Sequence, residues 1–181
     1  VTEFGRGNFE APLEQFPGTK AYINETIERV RKNLKELIAD TNMLVGAAVE
    51  GKLSTRAEAT KHEGDFRKIV DGVNRMLDAV VKPLVLSAEY VERISKGDIP
   101  EKIAEAYQGD FNNIKNNLNT CIDEIGVLVD QVGVVIGLAR SGDLAKRADA
   151  DQSKGVYRKI LRGINDALDA LITPLKVAED Y

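Results

Sequence analysis

Apolar residues recur along this chain at alternating steps of three and four. One run passes through Phe111, Ile114, Leu118, Cys121, Ile125, Leu128, Val132, Val135 and Ala139 without a break. That is the a/d heptad of helices packed along a narrow seam. An earlier run reads Ile23, Ile27, Val30, Leu34, Leu37, Thr41, Leu44, Ala48, and a third reads Phe66, Ile69, Val73, Met76, Val80, Leu84, Ala88, Val91. The consecutive steps of four near Pro83 are a stutter, which locally unwinds a left-handed supercoil. A last run includes Ile160 and Ile164. The pattern predicts an all-α fold of helices about 30 residues, hence roughly 45 Å, long.

Glycines punctuate the runs. Gly7, Gly51, Gly97 and Gly142 stand 44, 46 and 45 residues apart, the last three at C-terminal cap positions, and a second set follows at Gly18, Gly64, Gly109 and Gly155. The stretch "GDFRKIVDGVNRMLDAVVKPL" returns 91 positions later as "GVYRKILRGINDALDALITPL", and Leu53, Arg56, Ala57, Ile69, Gly72, Asn74, Leu77, Asp78, Pro83 and Leu84 all meet identical residues at that offset. A weaker copy, "GDFNNIKNNLNTCIDEI", lies between them. The chain is an array of repeats that alternate between two subtypes.

The connectors between the glycine pairs are too long for antiparallel hairpins, which need about 2–8 residues. Each carries two spaced apolar residues: Phe9 and Leu13, Leu53 and Ala57, Ile99 and Ile103, Leu144 and Ala148. About twelve extended residues span roughly 40 Å, enough to double back along the helix just left. The next helix then starts parallel to the second half of its predecessor. Two narrow seams cannot close a core alone, so we expect a parallel homodimer forming stacked four-helix bundles, with long continuous helices joined by connectors of 11–13 residues.

Composition narrows the function classes. The chain has 181 residues, 43% hydrophobic and 30% charged, with five Pro and no Trp. A net charge of -4 argues against nucleic acid, whose phosphates demand a basic surface. The lone Cys121 excludes an internal disulfide and fits a reducing compartment. No apolar run approaches the ~20 residues that span a bilayer, so we expect a cytoplasmic location. Val1 and the heptad still running at Tyr181 suggest a piece of a longer protein. Nothing gathers the acids into a cleft, and no enzyme activity, cofactor, metal or small-molecule ligand is expected.

Connector glycine, two spaced apolar residues, an acidic helix start and an Asn about ten positions on together resemble the HAMP domain of bacterial receptors. In that resemblance Asp65, Ile69, Asn74 and Met76 occupy motif positions, as do Asp110, Ile114 and Asn119 in the third repeat. The fourth keeps Ile160 and Asn165 but has Val156 where an acid is usual, and the first has Glu28 in place of the Asn and Lys20 where Phe66 would stand. Pro83 and Pro174 resemble the Pro that opens the family's first helix. The resemblance implies HAMP-like units at 1–38, 35–82, 83–128 and 126–173, with a further incoming helix starting at 174–181. It also implies a relay that passes a two-state conformational signal between adjacent sensor and output domains of a methyl-accepting chemotaxis protein, with a membrane-bound parent and one without transmembrane helices both open. A HAMP array of a sensor histidine kinase and a passive coiled-coil spacer are the alternatives.

The candidate site residues follow. Gly7, Gly51, Gly97 and Gly142 are the connector glycines, the paired connector residues pack on the bundle, and Asp65 and Asp110 stand at second-helix starts, where a carboxylate suits the dipole. The bundle seam runs through Ile69, Val73, Met76, Ile114, Leu118, Cys121, Ile160 and Ile164. Asn74, Asn119 and Asn165 directly follow seam positions, where an Asn can fix register, and read first as solvated flank. His62, in the polar "TKHEGD", reads as solvent-facing.

Overall fold

Helix ends dictate where the chain turns. In the computed structural model, which describes residues 2–179 and the side chains of 2–174, α1 (Thr2–Gly5) is followed by α2 (Ala21–Val49) and α3 (Gly64–Ser95). The last two helices are α4 (Gly109–Arg140) and α5 (Gly155–Glu179). Beyond α2, Gly51 N–H bonds Ala48 O at 3.1 Å and Lys52 N–H reaches back to Ala47 O at 2.8 Å. This crossed pair is the Schellman arrangement. It needs the left-handed backbone of Gly51, φ +74°, which a side chain would strain. The same two bonds close α1, α3 and α4 ahead of Asn8, Asp98 and Asp143. At the far end of the connector Gly64, φ +56°, turns extended chain into the first residue of α3.

The described residues contain no strand, and the all-α class read from the heptads holds. Both prolines expected to open helices, Pro83 and Pro174, lie inside α3 and α5. Residues 180 and 181 of the helix start expected at 174–181, and the side chains of 175–179, lie outside the described residues.

The chain divides into two units, Val1–Leu84 and Val85–Tyr181. In the first, α2 and α3 are parallel. His62, just before α3, meets Asp40 in the middle of α2, while Leu77, more than two turns into α3, shares a small pocket with Leu44 and Ala48. Residue numbers rise together on both helices, which an antiparallel hairpin forbids. Leu44, Ala57 and Val70 form the buried centre, flanked by Leu37, Val73 and Leu77. The second unit repeats the plan. Lys154 N–H, at the start of α5, bonds Glu124 of α4, and Val135 packs with Ala148, Ala150 and Leu161 further along.

Only one stripe of each helix is covered. Val70 is 2% exposed and Leu161 0%, whereas their neighbours Ile69 and Ile160 are 49% and 43% exposed, and Met76 is 58%. Along α3 and α5 the most buried positions, Val70 and Leu161, thus lie one residue on from the seam read in the sequence, while the seam residues Leu44 of α2 and Val135 of α4 share the same cores.

Leu161→Ala should lower stability by about 2–5 kcal/mol, the usual cost of deleting a fully buried leucine side chain. Lys159→Ala, at an exposed position of the same helix, should change it by no more than about 0.5 kcal/mol. Urea titration followed by helical circular dichroism reads both.

Candidate functional site: the clasped connectors

A chain segment running extended beside two helices has backbone amides that no ladder satisfies, and buried ones need partners. An asparagine side chain is matched to this need, because its carbonyl and amide present an acceptor and a donor side by side. Asn74 of α3 accepts from Ala57 N–H at 3.1 Å and donates to Ala57 O at 2.8 Å. Asn119 of α4 grips Ile103 in the same way at 2.7 and 3.1 Å, and Asn165 of α5 grips Ala148 at 2.9 Å on both bonds. Each clasped residue is the second apolar residue of its connector, and all three are buried. The first repeat, with Glu28 at the motif position, uses Asn24 one turn earlier. Its side chain accepts from Phe16 N–H at 2.9 Å and donates to Glu14 O at 2.7 Å.

A second grip lies beside the first. Arg56 Nη1 donates to Leu53 O at 2.8 Å and Thr55 O at 2.6 Å, while Nε and Nη2 hold Asp78 Oδ1 at 3.0 and 2.7 Å. The planar guanidinium thus staples the connector to α3. Arg147 does the same for Leu144 O, Lys146 O and Asp169. In the third connector Lys102 reaches Asp123 at 3.1 Å. In the first, Arg31 Nη2 donates to Ala11 O at 2.8 Å, and its guanidinium stands over the Phe4 ring at 5.5 Å.

The other sequence-derived positions distribute as follows. Phe9, Leu13 and Ile99 are half-buried, and Leu53 and Leu144 are exposed. Asp65 and Asp110 lie in the first turns of α3 and α4, and Asp65 pairs with Lys68 at 2.7 Å. Val73, Ile114, Leu118, Cys121 and Ile164 are half-buried; Ile122, next to Cys121, is buried.

Two expectations are corrected. The asparagines are not solvated flank: they hold the connectors, and their recurrence in three repeats was the signal. His62 is not solvent-facing. It is 4% exposed, with Nε2 2.7 Å from Asp40 Oδ2, because the connector doubles back along α2 and lays its polar segment against that helix. Ser153 fills the same place in the fourth repeat and is equally buried.

The HAMP domain model matches residues 61–126 and 152–181, together a little over half of the chain. The chain belongs to the HAMP domain family. A second model, HAMP N-terminal domain 3, matches residues 1–35. The family match indicates a signalling module, not a catalytic family. The methyl-accepting chemotaxis protein McpB of Pseudomonas aeruginosa is 26% identical over 93 residues, which cover 51% of this chain and 14% of McpB. No solved structure matches the chain. No helix among the described residues is long and apolar enough to cross a membrane.

Asn74→Ala and Asn165→Ala should each destabilise the chain by about 1–3 kcal/mol, since each orphans a buried N–H and a buried C=O. Asn113→Ala, exposed on α4, should cost no more than about 0.5 kcal/mol. Urea midpoints at constant slope measure the difference.

Proposed function

We propose that this HAMP array is a conformational relay of a chemoreceptor, passing a two-state signal from a sensor module to an output module as a parallel, in-register homodimer. One observation carries the reading. Parallel helices with clasped connectors cover one apolar stripe and leave a second, Ile69, Met76 and Val80, open to solvent at heptad spacing. A second copy of the chain laid alongside in the same direction matches that stripe and completes a four-helix bundle. Units at 1–38, 35–82, 83–128 and 126–173 then share helices, each serving as outgoing helix of one unit and incoming helix of the next. The chemotaxis relative supports the chemoreceptor assignment, and the parent is then a membrane receptor with this segment on its cytoplasmic side.

A relay needs two packings close in free energy, shifted by a signal that favours one of them. Coupling of about 1–3 kcal/mol suffices. Small seam residues, Thr41, Ala48, Ala88 and Ala139, leave the seam free to repack, and the stutter near Pro83 lets neighbouring units differ in phase. In such a dimer Asp65 and Asp110 stand where they can hold the start of a neighbouring incoming helix.

With Cys121 replaced by Ser, single cysteines at Ile69 and Met76 should each form a same-residue disulfide between chains under mild oxidation, and one at Arg75 should not. Absence of both cross-links would sink the parallel dimer. In the full receptor the cross-linking rates along this stripe should differ between stimulated and unstimulated states; identical rates would reduce the array to a spacer.

A further inference from the structure

The second and fourth connectors reach the same clasped position as the third by different chemistry. In the former pair the clasped residue is an alanine, Ala57 or Ala148, whose methyl group buries little apolar surface. The missing anchorage is supplied by Arg56 and Arg147, each making two bonds to connector carbonyls and two to an aspartate of the following helix. These guanidinium side chains are only a quarter exposed, at 25% and 26%, and the difference from the third connector lies with them, since their partners Asp78 and Asp169 are 50% and 63% exposed. In the third connector the clasped residue is Ile103, 6% exposed, which buries additional methyl and ethyl groups. Its charged neighbour Lys102 makes one ion pair with Asp123, both side chains 56% exposed, and among the described residues donates to no connector carbonyl. The other ion pair of this connector, Arg93 with Asp98 at 2.7 Å, ties Asp98 to the end of α3 and not to α4.

We infer that the two repeat types hold their connectors by different forces, a guanidinium staple in the second and fourth and apolar burial in the third, so that ionic strength loosens the former and spares the latter. Partly buried, multiply bonded arginine–carboxylate pairs carry measurable interaction energy, whereas a single well-exposed lysine pair contributes close to nothing. Apolar burial does not weaken when salt screens charge. From the second to the fourth repeat, electrolyte-sensitive joints then stand on either side of an electrolyte-insensitive one. The connector chemistry belongs to the folded chain itself and holds whether or not the relay does.

Hydrogen exchange read by mass spectrometry on the whole 181-residue chain tests this. Salt is raised from about 0.01 M to about 1 M, over which the screening length falls from roughly 30 to roughly 3 Å. Exchange across 53–59 and 144–150 should accelerate about two- to five-fold, and across 99–105 it should not. At low salt Arg56→Gln and Arg147→Gln should each reproduce that acceleration in their own connector alone, Lys102→Gln should leave 99–105 unchanged, and Ile103→Ala should accelerate it at both salts. Arg56→Lys, which keeps the charge but loses the fork, serves if the glutamine variant loses helical circular dichroism. An equal salt response in all three connectors, or a Lys102→Gln effect as large as that of Arg56→Gln, would overturn the inference.

Discussion

The architecture depends on satisfying an extended backbone that has left one helix and must lie against it again. Such a segment has neither the i→i−4 bonds of a helix nor the ladder of a sheet, and its buried amides would cost more than its few apolar side chains return. The asparagine clasp removes that cost at one residue per connector. It also fixes the register of the connector on α3, and His62 against Asp40 then sets the start of α3 beside the middle of α2. Parallel pairing, the buried triad of Leu44, Ala57 and Val70, and the burial of His62 all follow from that placement.

Once the connector is fixed, the apolar residues of each helix divide between two duties. Val70 and Leu161 face the neighbouring helix of the same chain, and Ile69, Met76 and Ile160 do not. A helix in a four-helix bundle needs an apolar face wider than the a/d seam of a two-stranded coil. The heptad reading found a seam of the correct period and assigned it a single role. In the structure the seam residues Leu44, Val73 and Val135 share the contact within the chain with adjacent positions, which leaves Ile69, Met76 and Ile160 for the proposed dimer.

Helices, their stops and the doubling back of the connectors were legible because each is a local signal: heptad period, paired glycines, connector length. The clasp and the staple were not read, although their residues were visible. Arg56, Ala57, Asn74 and Asp78 all recur at Arg147, Ala148, Asn165 and Asp169. Polar residues beside a seam look like solvated flank unless the backbone they serve is known, and that backbone lies seventeen residues away in sequence from Asn74. His62 was misread for the same reason. Its neighbours in sequence are polar, but its neighbours in space belong to α2.

Pulsed electron paramagnetic resonance on spin labels at Glu36 and Lys61, in a Cys121→Ser chain diluted with unlabelled copies, addresses the parallel, clasped connector most directly. Both positions line one surface pocket with Asp40 and His62, so the account predicts a single short separation, under about 20 Å between labels. An antiparallel hairpin would set Lys61 near the end of α2, roughly 20 Å along the helix axis from Glu36 before the label arms are added. A distribution centred well beyond 25 Å, on the order of that longer span, would contradict the account.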